Sequence, residues 1–226
     1  MSARQSIITV VTCAAVAALA ASCASEHRPG EAELRLSGVG IVAEGCALTA
    51  QLASGVVVDR PGQVATVAHA IAGATSISVV DHAGDIYPAT VRAFDKDRDL
   101  AVLAVPGLEA PALDLASGAV GPGATLTWTR ADGVTYDEVE MSKRLTVTIE
   151  DIYIEEIVER RGMEVLGDIS VGDSGGAVLS STGDVIGIIY AHSRSRDGVG
   201  FATDSSELDA MLRTISDTSV ANGRCS

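Results

Sequence analysis

The sequence has little positive charge, few aromatic residues and no apolar run long enough to span a membrane easily. Among 226 residues, 16 are Lys or Arg and 30 are Asp or Glu, a formal net charge of −14 at pH 7. A chain of this sign offers no basic surface for phosphates, which argues against nucleic acid as a partner. The histidines and carboxylates show no zinc-ligand spacing, so we expect neither a metal nor another cofactor.

The composition favours an all-β fold. Aromatic residues make up 3% of the chain, whereas it has 23 glycines and abundant valine and alanine. Such a composition is typical of many short strands joined by tight turns. A chain of this length can bury the core of one domain or of two small fused halves.

The longest apolar run, residues 7–21, follows a single positive charge at Arg4. It is short for a bilayer span of about 20 residues, and residues 1–22 have the pattern of a signal peptide. The small residues before Cys23 resemble a bacterial lipobox, which predicts acylation of Cys23 and attachment to a membrane. Cleavage after residues 18–20 or an uncleaved anchor are the alternatives. Each exports the domain to the periplasm or cell envelope, or secretes it.

The four cysteines fit an exported protein. Cys13 lies within the apolar leader, and Cys23 has the lipidation role. Cys46 and Cys225 remain. In an oxidising compartment they can form one disulfide, and the alternative is that both are buried free thiols.

The rest of the chain divides into two strand-rich halves. Residues 23–36 are polar and indicate a tether. Strand-like runs then predict about six strands in residues 37–105 and about six in 124–203, separated by a linker at 106–123. These two sets predict two antiparallel barrels of six strands each. A C-terminal helix is predicted at 204–216, where the apolar residues have helical spacing: Leu208, Met211, Leu212 and Ile215. In the second half, residues 145–154 form the longest alternating run.

The pentapeptide Gly-Asp-Ser-Gly-Gly at residues 172–176 carries the clearest chemistry. It puts Ser174 in a tight turn where small neighbours let a substrate carbonyl approach. The N–H groups of Gly172 and Ser174 are the candidate donors for the oxyanion that forms when a serine attacks an amide. The alternative is a polar hairpin turn.

A base and an orienting carboxylate are also available. His69 follows the apolar run 64–68, which predicts a position at the end of a buried strand facing a cleft. Asp95, Asp97 and Asp99 compete as its partner, and Asp99 directly precedes the apolar run 100–105, so we expect it in the interior and the other two in water. A lone histidine in such a place is more often a core residue, and only the serine and the aspartate favour catalysis.

The order His69, Asp99, Ser174 resembles trypsin-like serine proteases of chymotrypsin type. Over residues 37–226 the chain is most similar to the actinobacterial periplasmic MarP-type proteases. The motifs that carry this resemblance are Val-Ala-His-Ala-Ile at 67–71, Asp-Leu-Ala-Val-Leu-Ala-Val-Pro at 99–106, the pentapeptide 172–176, Gly45-Cys46, Gly200-Phe201 and Cys225.

The resemblance implies a serine endopeptidase acting on proteins or peptides. It also implies a Cys46–Cys225 disulfide, since the two cysteines are bridged in that family. Two features of relatives are missing from this sequence, namely several transmembrane helices before the domain and a PDZ-like extension after it. We therefore expect neither the same membrane attachment nor cage assembly, but a monomer. A fold that binds peptides without cutting them is the competing hypothesis.

Specificity and activation are less clearly marked. Asp168 lies where trypsin-like enzymes place a buried carboxylate at the floor of the primary pocket, which predicts cleavage after Arg or Lys. Tyr190 and His192 lie near that pocket, and His192 favours acidic residues instead. No activation site precedes residues 40–43, so we expect that the enzyme needs no N-terminal cleavage or is switched by reversible formation of the disulfide.

Overall fold

The computed structural model describes residues 29–226, and the first half of that region forms a single antiparallel sheet. Its strands are β1 (Gly38–Glu44), β2 (Gln51–Val57), β3 (Gln63–Thr66), β4 (Ser76–Val80), β5 (Ile86–Pro88), β6 (Thr90–Asp95) and β7 (Leu100–Ala104). They pair in the order β5-β4-β1-β2-β3-β7-β6. The sheet is a half-barrel rather than the closed barrel that we predicted, and it has seven strands rather than six because the short β5 extends its edge.

The second half is a closed antiparallel barrel. Its strands are β8 (Gly121–Thr129), β9 (Gly133–Glu150), β10 (Ile157–Leu166), β11 (Ala177–Leu179), β12 (Val185–His192) and β13 (Val199–Asp204). They close in the order β10-β13-β12-β11-β8-β9. The all-β fold with six strands in this half is confirmed.

The alternating run at 145–154 does not remain one strand. The chain turns at residues 151–156 between β9 and β10. The Asp151 carboxylate accepts the N–H groups of Tyr153 and Glu155, both at 3.0 Å, and this local bonding reverses the chain. The alternation of apolar residues continues up to this turn, so periodicity alone could not locate it.

Three helices complete the described chain: α1 (Glu31–Arg35), α2 (Ala68–Ile71) and α3 (Ser205–Leu212). Asp204 caps α3 by accepting the Ser206 N–H, at 3.0 Å. The helix ends at Leu212, earlier than the predicted residue 216. Within the expected tether, α1 buries Leu34, which is 4% exposed.

The two halves share a core. One apolar cluster extends from Ile41 and Leu103 in the half-barrel to Leu126, Leu179 and Ile188 in the barrel. The two halves are therefore packed against each other through their strands. Within residues 29–226, no helix is long and apolar enough to cross a bilayer. The predicted signal peptide, with Cys13 and Cys23, lies outside the described residues.

Candidate active site

His69 lies on the short helix α2, not at the end of a strand as we predicted, because β3 ends at Thr66. The C-terminal segment fastens this helix. Asn222 Nδ2 donates to the carbonyls of Ile71 and Ala74, at 2.7 and 2.9 Å. Cys225 forms the expected disulfide with Cys46. The C-terminal segment therefore stabilises the chain directly after His69.

Asp99 binds His69 through both of its carboxylate oxygens. Oδ2 lies 2.8 Å from His69 Nδ1, and Oδ1 accepts the backbone N–H of His69 at 2.9 Å. The Asp99 side chain is 6% exposed, as expected of the residue next to β7. This geometry fixes the ring and leaves Nε2 as the nitrogen that can take a proton from a nucleophile.

The pKa of His69 reflects opposing influences. Burial disfavours the imidazolium, but the hydrogen bond that Asp99 accepts from the ring and the charge of the Asp99 carboxylate outweigh burial. The charge of Arg160 acts against protonation. The balance raises the pKa of His69 above its usual range, so the base form is lost on acidification earlier than for an isolated histidine.

The segment before Asp99 is bonded at nearly every peptide group. Asp95 Oδ1 accepts the N–H groups of Asp97 and Arg98, at 2.9 and 2.8 Å, and the Arg98 carbonyl accepts from Thr203 Oγ1 at 3.2 Å. Asp99 itself has a φ of +53°, in the left-handed region that residues other than glycine rarely adopt. The bonded segment holds the residue in that conformation.

One group of carboxylates beside this segment has metal-like spacing. Oxygens of Asp97, Asp151 and Glu156 all lie within 4.8 Å of one another. Lys96 Nζ already lies among them, at 2.9, 2.7 and 2.8 Å respectively. The lysine ammonium thus supplies the positive charge that such a cluster needs, and the cluster links the Asp99 segment to the turn at 151–156.

Ser174 lies in a turn between β10 and β11, and two glycines shape it. Gly172 has a φ of +107° and Gly175 a φ of +87°. A Cβ on Gly175 would lie 2.0 Å from the carbonyl oxygen of Ser54 and 2.5 Å from Thr66 Oγ1. Only glycine allows the turn to approach β2 and the end of β3 this closely, three residues before His69.

The predicted oxyanion donors are available in this turn. Within residues 29–226, the N–H groups of Gly172 and Ser174 donate to no acceptor. Ser174 Oγ likewise makes no hydrogen bond to the described part of the chain, and the His69 ring is bonded to Asp99 through Nδ1. Catalytic hydrogen bonds are often long in a free enzyme and shorten when substrate binds.

Ser54 on β2 is a site residue that sequence reasoning missed. Its N–H donates to the carbonyl of Ser174 at 2.8 Å, and its hydroxyl lies 3.3 Å from the Gly172 carbonyl. The same hydroxyl accepts the Trp128 N–H at 2.8 Å. Ser54 is fully buried and thus orients the peptide groups on either side of Asp173 from the opposite half of the molecule. Nothing in its local sequence marks it, since its partners lie more than 70 residues away.

Asp173 stabilises the turn through hydrogen bonds to Ser170. Its carboxylate accepts from Ser170 N–H at 2.7 Å and from Ser170 Oγ at 3.2 Å. Burial raises the pKa of Asp173, whereas these hydrogen bonds oppose the rise. Ile41, in the sequence that resembles an activated N-terminus, is fully buried within β1. This placement agrees with our expectation that no N-terminal cleavage is needed, which stays a prediction.

The three predicted specificity residues have different surroundings. Asp168 is exposed and has no hydrogen bond or ion pair with residues 29–226, so its predicted burial is wrong. His192 is exposed and pairs with Gly200 across β12 and β13. Tyr190 instead stacks on a guanidinium, with its ring centroid 4.9 Å from Arg160 Cζ. Their roles in specificity remain predictions.

Comparison with known sequences agrees with this geometry. Residues 53–188 match the model of the trypsin-like peptidase domain. The chain is 31% identical over 174 residues to the serine protease Rv3671c of Mycobacterium tuberculosis, covering 74% of this chain and 43% of that protein. It is 31% identical over 159 residues to the chloroplastic protease Do-like 1 of Arabidopsis thaliana, covering 66% and 36%. The chain thus spans less than half the length of these relatives.

Solved structures show the same likeness. The active form of the Rv3671c protease superposes with a TM-score of 0.80 at 27% identity, covering 86% of this chain and 87% of that one. Its inactive form gives a TM-score of 0.71 at 27% identity, covering 81% and 91%. Sequence and fold lead to one conclusion: the chain belongs to the trypsin-like serine proteases.

Proposed function

We propose that this chain is an exported serine endopeptidase that cleaves proteins or peptides through an acyl-enzyme on Ser174. The observation that carries the proposal is the pair of hydrogen bonds that the Asp99 carboxylate accepts from the ring and the backbone N–H of His69. They occupy Nδ1 and leave Nε2 as the nitrogen that can act as a base, and the N–H groups of Gly172 and Ser174 have no acceptor within the described chain. A base, a nucleophile and oxyanion donors are the parts that acyl transfer needs.

The reaction follows from these parts. His69 Nε2 takes the proton of Ser174 Oγ as the oxygen attacks the substrate carbonyl, and Gly172 and Ser174 N–H bind the oxyanion. His69 then gives the proton to the leaving amine, and water hydrolyses the ester by the same steps.

The residue preferred before the cut has two candidates. Asp168 has no partner within residues 29–226 and could pair with Arg or Lys, the preference we predicted. His192, which is exposed on β12, favours an acidic residue instead.

Cleavage of a peptide library tests both points. Activity of the wild type and its loss in Ser174→Ala are expected. Basic residues enriched before the cut, and lost in Asp168→Asn, would support the first preference, whereas enriched acidic residues that are lost in His192→Ala would support the second. A folded wild type that cleaves nothing would instead indicate a peptide-binding protein.

Export, the lipid on Cys23 and a monomeric state belong to the same proposal. The lipobox-like leader and the disulfide support export, since disulfides persist in oxidising compartments. Intact mass of the membrane-extracted protein tests lipidation. A diacylated chain that starts at Cys23 is expected, and a soluble chain cleaved elsewhere would contradict it.

A further inference from the structure

Arg160 is a buried cation behind the acid–base pair. It lies on β10, and its side chain is 2% exposed. Charged side chains are rarely buried to this extent unless they are paired. Since Arg160 lies on the second half of the molecule and Asp99 on the first, any contact between them links the two halves at the site.

The guanidinium binds the backbone of the Asp99 segment. Nε and Nη2 of Arg160 both donate to the carbonyl oxygen of Asp97, at 3.1 and 2.8 Å. This carbonyl lies two residues before Asp99, whose φ of +53° needs support from its surroundings. Two donors on one acceptor fix the peptide group more firmly than one would.

The third nitrogen faces the catalytic acid. Arg160 Nη1 lies 4.0 Å from Asp99 Oδ2, the oxygen that binds His69 Nδ1 at 2.8 Å. This separation is too long for a hydrogen bond, so Arg160 does not displace His69 from the carboxylate. Its charge still acts on the pair, because the Coulomb interaction falls slowly with distance in a partly buried site.

An aromatic ring holds the guanidinium in place. Tyr190 on β12 lies under Arg160 at 4.9 Å and is followed by Phe201, with 6.4 Å between the two ring centroids. A planar guanidinium stacks on such a ring, which an ammonium group does less well. The groups that face Asp99 are therefore His69 from α2, Arg160 from β10 and Tyr190 from β12.

We propose that Arg160, supported by Tyr190, is a positioning residue of the triad: it clamps the Asp97 carbonyl and sets the charge around Asp99 so that His69 stays oriented and available as a base. Tyr190 then acts behind the triad rather than in the substrate pocket. The inference rests on the proposed hydrolysis by Ser174.

The test compares kcat and KM against pH for the full chain and its variants. In Arg160→Gln we expect kcat to fall by about 10- to 100-fold with KM nearly unchanged, because orientation and not binding is impaired. The acidic limb of kcat/KM should move upward by roughly half to one pH unit, since removal of a cation favours protonated His69. Arg160→Lys keeps a charge but loses the planar fork, so it should lower kcat with a smaller shift of the limb.

Arg161→Gln is the matched control. Arg161 is the next residue on β10, its side chain is 68% exposed, and it pairs with Glu207 at 3.4 Å. Its activity and pH profile should equal those of the wild type. If Arg160→Gln behaves like Arg161→Gln, the proposal is overturned.

Two further measurements keep the test decisive. If Arg160→Gln does not fold, Tyr190→Leu, which removes the stacking ring, should still lower kcat at constant KM, and an unchanged kcat would overturn the proposal. If the wild type hydrolyses no substrate, NMR titration of His69 in Ser174→Ala replaces kinetics. A pKa of His69 that rises on adding Arg160→Gln supports the proposal, and an unchanged pKa refutes it, independently of the proposed hydrolysis.

Discussion

The two sides of the site differ in how their polar groups are used. On the acid–base side, the segment from Asp95 to Asp99 has its backbone groups bonded to Asp95, Arg160 and Thr203. On the nucleophile side, the turn at 172–175 has its carbonyls bound by Ser54, whereas within residues 29–226 the N–H groups of Gly172 and Ser174 have no acceptor. The backbone groups on the acid–base side thus fix the position of Asp99, whereas two N–H groups on the nucleophile side remain unoccupied.

This difference explains how one fold can orient a base and also keep donors unoccupied for an oxyanion. A base must be oriented before substrate arrives, so its bonds are made within the protein. An oxyanion exists only during the reaction, so its donors must stay unoccupied until then.

The largest expected effect is that of Asp99→Asn. An asparagine can still accept the His69 N–H, but it lacks the charge that favours the correct tautomer and stabilises the imidazolium. We expect kcat to fall about 10³- to 10⁴-fold at neutral pH with the fold intact, measured by steady-state kinetics. Asp97→Asn, whose side chain is 49% exposed, is the control and should stay within about threefold of the wild type. Equal losses in both variants would contradict a special role of Asp99.

Loss of the disulfide should mainly affect the acid–base side. The bridge closes a loop with a sequence separation of 179 residues and anchors the segment that binds α2. For a loop of this length, we expect Cys46→Ser/Cys225→Ser to lower the free energy of unfolding by about 2–5 kcal/mol. Urea unfolding of the variant and of the reduced wild type should agree. A change below about 1 kcal/mol would show that the segment is held by its hydrogen bonds alone.

Ser54→Ala disturbs the nucleophile side. The change leaves the buried Trp128 N–H without its acceptor, which should cost about 1–3 kcal/mol of stability. Because the Gly172 carbonyl loses a donor as well, kcat should fall while KM changes little. Ser76→Ala, an exposed serine on β4, is the control and should have no effect on either quantity. Normal stability of Ser54→Ala would mean that the barrels hold this turn without the hydroxyl.

The smallest effect is expected for Asp173→Asn. Burial raises the pKa of Asp173 above its unfolded value, so the folded state binds its proton more tightly and loses stability as pH rises through that pKa. Asparagine does not titrate and can still accept the Ser170 N–H. The Tm of the variant minus that of the wild type should therefore increase from acidic to neutral pH. The exposed Asp168→Asn serves as the control, and a difference for Asp173→Asn that is independent of pH would contradict a buried charge.

The sequence predicted the candidate catalytic residues better than the residues that hold them in place. His69, Asp99 and Ser174 could be found because each borders a local pattern, an apolar run or a glycine-rich turn. Ser54 and Arg160 could not, because their partners lie far away in sequence and only the fold brings them together. The exposure of Asp168 and the seventh strand were missed for a related reason, since burial and sheet edges depend on tertiary packing.

The central claim is that Ser174 is a nucleophile activated by His69. Intact-mass measurement after incubation with a fluorophosphonate tests it most directly, because the reagent phosphonylates an activated serine. We expect a single adduct on Ser174 of the oxidised protein, absent from Ser174→Ala and strongly slowed in His69→Gln. No adduct on the folded wild type, or an adduct that survives Ser174→Ala, would contradict the claim.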